Sequence, residues 1–133
     1  MTLKDLLIKH ESVRLKPYTD TVGKLTIGVG RNLDDKGISY AEAMALLDKD
    51  IADATNDCVH TFPWFSDLSE PRQWVVLSMV FNMGLAGFQN FKRMIACLEL
   101  GDHDGAAHEM ANSRWAKQVG SRATELQAMM KKG

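Results

Sequence analysis

ESVRLKPYTDTVGKLTIGVG, residues Glu11–Gly30, is where the reading of this chain turns from helix to strand. Pro17 ends any helical reading, and the segment from there to Leu33 reads as strands and turns. Val22-Gly23-Lys24 supplies a turn, after which Leu25, Ile27 and Val29 alternate with Thr26, Gly28 and Gly30. The period of two predicts a strand with one packed face and one nearly bare one. Glycines on the bare face let a ligand or a second backbone approach closely, or else mark a tight bend. Glu11 thus falls at the end of a predicted helix, Asp20 in a predicted turn and Thr26 on the strand, and all three are expected to face one cleft.

Upstream, Thr2 is placed to cap a first helix in which Leu3, Leu6, Leu7 and His10 share a face expected to be buried. Glu11 stands beside that stripe, at a boundary between core and solvent. Partial desolvation there is the condition that lets a carboxyl group donate a proton near neutral pH. Downstream, Ser39-Tyr40-Ala41-Glu42 is a capping box opening a long helix through Met44, Leu47, Ile51 and Ala54, with Asp48, Lys49, Asp50, Asp53 and Asp57 on a solvated face. A helix of that length can bridge two lobes. TFPWFSDLS, residues 61–69, reads as a loop anchored by its aromatics. From Pro71 a helix apolar on all sides runs to a C′ glycine at Gly84, the central buried helix of an all-α lobe, with Asn82 near its end. Phe88, Phe91, Ile95 and Leu98 mark the next helix; Asp102 and Ser121 are expected to cap two more.

Length and composition fit a single domain that folds without metal or disulfide support. Hydrophobic residues make up 45% and charged ones 25%, too apolar for disorder. The net charge of -1 gives no global pull toward nucleic acid or acidic lipid. Residues 34–70 are acidic, whereas 111–133 carry Arg114, Lys117, Arg122, Lys131 and Lys132 against Glu125 alone, an end suited to an anionic polymer. Cys58 and Cys97 match no zinc spacing and read as free thiols. His103, Asp104 and His108 could share a helix face, but acid and histidine at a helix start serve the dipole without a metal, so no metal or cofactor is expected. Gly28-x-Gly30 lacks the third glycine of a dinucleotide fingerprint, and Asp34-Asp35 lacks the alternation of a calcium loop. No leader or membrane-spanning run is read, so the chain is expected to stay in the cytoplasm until something releases it.

Two carboxylates and a hydroxyl around a glycine-lined hairpin suit hydrolysis of a glycosidic bond, whose oxocarbenium-like transition state needs a proton donor and a carboxylate. The stretch HESVRLKPYTDTVGKLTIGVG resembles the catalytic helix and hairpin of the phage-type lysozymes, the endolysins similar to the T4 phage lysozyme (glycoside hydrolase family 24). That family's pattern is an acid, eight residues, an acid or Cys, five residues, then Thr; Glu11, Asp20 and Thr26 fit it without a gap. MVFNMG and AGF (Met79–Gly84, Ala86–Phe88), then NSRWAKQ and SRA (Asn112–Gln118, Ser121–Ala123), extend the likeness over nearly the whole chain.

The resemblance implies a mainly α, α+β lysozyme-like fold in one domain. Its N-terminal lobe, about residues 12–60, would hold the hairpin or a short sheet; helix 1 would pack on an all-α C-terminal lobe, about residues 61–133, beyond a long connecting helix. It implies Glu11 as general acid, Asp20 as the group assisting water or stabilising charge, and Thr26 as the residue holding that water. Arg122 is implied as the partner of the catalytic glutamate, and Phe81 as a cleft residue, with Gly30 and Asn82 also assigned to substrate. Where the family's best-known member has a histidine, this chain has Arg31, which is expected to contact substrate, and Asn32 replaces an apolar cleft residue. The implied reaction is inverting cleavage between N-acetylmuramic acid and N-acetylglucosamine in peptidoglycan. The enzyme would be a monomer without stable membrane association or nucleic-acid partner, released by a holin-like protein to reach the periplasm or wall. A lytic transglycosylase, needing Glu11 but not Asp20, and a catalytically silent wall-binding module are the alternatives.

Overall fold

A computed structural model describes residues 1–133. The elements run α1 (Leu3–Glu11), β1 (Arg14–Thr19), β2 (Leu25–Gly28), β3 (Arg31–Asn32), α2 (Tyr40–Thr61), α3 (Glu70–Gln89), α4 (Lys92–Glu99), α5 (His103–Ala111), α6 (Arg114–Val119) and α7 (Ser121–Lys132), with a 3-10 turn at Phe65–Asp67. This is the mainly α, α+β architecture expected, with its small antiparallel sheet near the N-terminus. No helix is long and apolar enough to cross a membrane. The chain divides into two compact units, Met1–Leu46 and Leu47–Gly133.

In the first unit α1 opens on a reciprocal cap. Thr2 Oγ1 accepts from the Asp5 N–H at 3.1 Å, and the Asp5 carboxylate accepts from the Thr2 N–H at 3.0 Å. Ser12, at φ 65°, ends the helix and turns the chain into β1. The strands are ordered β1-β2-β3, all antiparallel, with Tyr18 opposite Thr26 and Thr26 opposite Asn32.

Two expectations fail here. The face carrying Leu3, Leu6, Leu7 and His10 is not buried: Leu3 is 70% and Leu7 45% exposed. On β2 the expected pattern fails at Thr26, which is 3% exposed, while Leu25, and Val29 just past the strand's end, are 41% and 40% exposed. A unit this small encloses little surface, and Thr26 is its single buried side chain. The hydroxyl tolerates burial because it donates to the Lys24 carbonyl at 2.9 Å.

The second unit has the conventional core. Cys58, Phe65, Val75, Val76, Met79, Phe88, Met94, Met110 and Met130 are fully enclosed. The 61–69 loop is anchored as expected: Phe62 and Phe65 are buried, with Phe62 stacked on Trp64 at 4.7 Å and edge-on to Phe88 at 5.6 Å. α3 breaks at Gly84 (φ 79°, ψ 163°), as its glycine predicts, but resumes to Gln89. It is not buried all round, because Trp74 and Phe81 are half exposed on the side away from Val75, Val76 and Met79. Asp102 caps α5 through the Gly105 N–H at 2.9 Å. Ser121 caps nothing; Gly120 holds that position, while Ser113 caps α6 through the Ala116 N–H at 3.1 Å. Cys58 and Cys97 are both free thiols.

Candidate active site

Glu11 is the last residue of α1. Its carboxyl group lies against Gly30, in the turn between β2 and β3: a Cβ built on Gly30 would stand 2.8 Å from Glu11 Oε2 and 3.1 Å from Cδ. Gly30 also has φ 67°, so both its backbone and the space above it call for glycine. Glu11 is exposed rather than partly buried, which corrects the expected desolvation.

Asp20 heads the β1–β2 turn and is half-buried. Its Oδ1 accepts from the backbone N–H groups of Val22 (3.0 Å) and Lys24 (2.8 Å), while its own N–H donates to the Lys24 carbonyl at 2.9 Å. One carboxylate oxygen therefore builds the turn, an Asx-type arrangement, and the other remains for a water or a sugar. Thr26 follows on the central strand. Its only hydroxyl hydrogen is engaged with the Lys24 carbonyl, so toward a water it can act only as an acceptor. Lys24 thus serves both neighbours through its backbone, and its side chain pairs with Asp35 at 3.0 Å.

The residues after Gly30 are turned inward by hydrogen bonding. Arg31 Nη1 and Nη2 bond Oε1 and Oε2 of Glu42 at 3.1 and 2.7 Å, and Nη1 also donates to the Gly37 carbonyl at 3.2 Å. Asn32 closes a loop with Asp35, donating to its carboxylate and accepting its N–H, both at 3.0 Å. Both side chains expected on substrate are engaged within their own unit. Glu42 is the residue sequence reasoning missed: its place in the capping box was legible, its role as the partner of Arg31 was not. Hydrogen bonding to Arg31 first, then to the Ser39 backbone, lowers its carboxyl to about 2.

In the second unit Phe81 lines an apolar cavity of about 520 Å³ with Leu47, Ile51, Trp74 and Leu77. Asn82 accepts the indole N–H of the buried Trp115 at 2.9 Å, so its carbonyl oxygen is structural and its amide N–H groups remain. Arg122 donates to Ser78 Oγ at 3.3 Å.

The phage lysozyme family model matches residues 8–132. The chain is 29% identical to "Probable T4-type lysozyme 1" of Dictyostelium discoideum, over 99% of its own length and 95% of that protein's. It is 30% identical to the "Endolysin" of Acyrthosiphon pisum secondary endosymbiont phage 1, over 96% and 86%. With the "SAR-endolysin" of Escherichia phage Mu it shares 32% identity, over 86% and 66%. A match running from α1 into α7 shows that the chain belongs to the phage lysozyme family, and with it that the protein is an enzyme of the lysozyme, glycosidase kind.

Proposed function

We propose that the protein is an endolysin that hydrolyses the β-1,4 bond between N-acetylmuramic acid and N-acetylglucosamine in bacterial peptidoglycan, with inversion. The observation that carries this reading is the exposed Glu11 carboxyl seated on Gly30, in the same unit as the free oxygen of Asp20 and the acceptor hydroxyl of Thr26. Glu11 gives its proton to the leaving glycosidic oxygen as the C–O bond breaks. Asp20 takes a proton from water, which Thr26 orients by accepting its other hydrogen, and the water oxygen bonds to the anomeric carbon from the opposite face. Charge is conserved, since one carboxylate loses the proton that the other gains.

Family resemblance supports a reading of Arg122 as the partner of Glu11 and of Phe81, Asn82 and Gly30 as residues that meet the sugar chain, within a single lysozyme-like domain. It further supports a monomer that a holin-like protein releases from the host cytoplasm to the periplasm or wall.

The test is reducing-end release from purified peptidoglycan by the parent and by Glu11→Gln, with the anomer formed first from a defined muropeptide read by NMR. Loss of activity in Glu11→Gln and an α-anomer product are expected. Equal activity in that variant ends the catalytic assignment, and a retained β-anomer ends the inverting one. A product lighter by one water identifies a lytic transglycosylase instead.

A further inference from the structure

Gly30 and Arg31 share a peptide bond whose two sides do different things. On one side the Glu11 carboxyl stands 2.8 Å from where a Cβ would be, too close for one to fit without moving it. On the other, Arg31 reaches eleven residues along the chain to Glu42 with two parallel bonds, and to the Gly37 carbonyl with a third. Glu42 is itself fixed: Oε1 accepts the Ser39 N–H at 2.9 Å, and its own N–H donates to Ser39 Oγ at 3.1 Å. The fork therefore ties β3 to the first turn of α2.

We propose that Arg31 and Glu42 are positioning residues, holding the Gly30–Arg31 step so that the Glu11 carboxyl has one seat. The inference rests on the reading of Glu11 as the acid. Three observations favour it over a substrate contact or an idle surface pair. Both hydrogens of Nη1 and one of Nη2 are already used within the unit, which leaves little of the guanidinium for a sugar. The pair is bidentate and partly shielded, its side chains 29% and 43% exposed, whereas the exposed pair Lys49–Asp53 is of the kind that contributes little. Finally, hydrogen bonding to Arg31 lowers the Glu42 carboxyl to about 2, so the pair stays ionised at neutral pH.

The test uses the full chain as parent, Arg31→Lys, Glu42→Gln, the double variant and Lys49→Ala as control. Reducing-end release gives kcat and KM at a temperature below every unfolding transition, and NMR follows the Glu11 carboxyl carbon and the Gly30 amide. Each single variant is expected to lose about tenfold in kcat with KM within about twofold, and the double variant to be no worse than the weaker single. Both resonances should move in these three proteins and stay in Lys49→Ala. A rise in KM at unchanged kcat makes Arg31 a substrate contact and overturns the proposal, as do unmoved resonances or undiminished kcat. Should Arg31→Lys fail to fold, Glu42→Asp supplies the same readings. If the parent releases no reducing ends while the resonances still respond, the lysozyme reading falls and the brace stands.

Discussion

The Glu11 carboxyl lies over Gly30 so closely that a Cβ at residue 30 would stand 2.8 Å from its Oε2. Gly30→Ala therefore both strains a left-handed residue, at about 1–2 kcal/mol, and pushes the carboxyl off its seat. Because the clash falls on the flexible end of Glu11, the fold should survive while kcat falls by about tenfold to a hundredfold. Activity assays beside a urea titration separate the two effects.

Glu42 makes stability depend on pH. Its carboxyl lies at about 2 in the folded protein against an ordinary value of 4.5, so the folded state favours the ionised form. The resulting stability is fully present above about pH 4.5 and disappears as pH falls through about 2. Glu42→Gln should melt below the parent at about pH 6, and the gap should close across that acid window. Parallel melting curves that keep a constant gap down to pH 2 would contradict the Arg31 fork.

Asn82 holds up a tryptophan. Asn82→Ala leaves the indole N–H of Trp115, itself 7% exposed, without its acceptor. A loss of about 1–3 kcal/mol is expected, and Asn82→Asp, which keeps an acceptor oxygen, should recover most of it. Denaturant unfolding checks both.

Thiol chemistry should distinguish the two cysteines. Burial first, then the neighbouring Asp57, raises the Cys58 thiol to about 11, and the side chain is fully enclosed. At about pH 8 Cys97, only half-buried, should react first with a thiol reagent, and Cys58 only as the protein unfolds. Mass spectrometry of the singly labelled species locates the site.

What could be read from sequence follows the range of the interactions. Period-two alternation placed β2, and the Thr2, Ser39 and Asp102 caps set three helix starts, because each depends on residues within a turn of one another, whereas β1 begins at Arg14, three residues before the Pro17 from which strands were expected. Glu11, Asp20 and Thr26 were read as a site by the family's spacing instead, and their catalytic roles are proposals. Burial was not. Alternation gives the two faces of β2 but not which is covered, and the hydroxyl bond to Lys24 that lets Thr26 be the enclosed one has no sequence signal. Apolar character all round α3 likewise could not show that Trp74 and Phe81 stand half exposed. The Arg31–Glu42 fork joins residues whose partnership depends on the fold of the loop between them, so each was read only in its own neighbourhood.

Asp20 carries a consequence for how this position can vary. Its Oδ1 organises the hairpin turn through two backbone N–H groups, while its second oxygen is the one left for the proposed chemistry. Asparagine keeps the first function and loses the second; alanine loses both. On the proposed role of Asp20, a lineage that gave up catalysis but kept the fold has an easy route through asparagine at residue 20, whereas the cysteine that the family pattern also admits there has to hold the turn by other means.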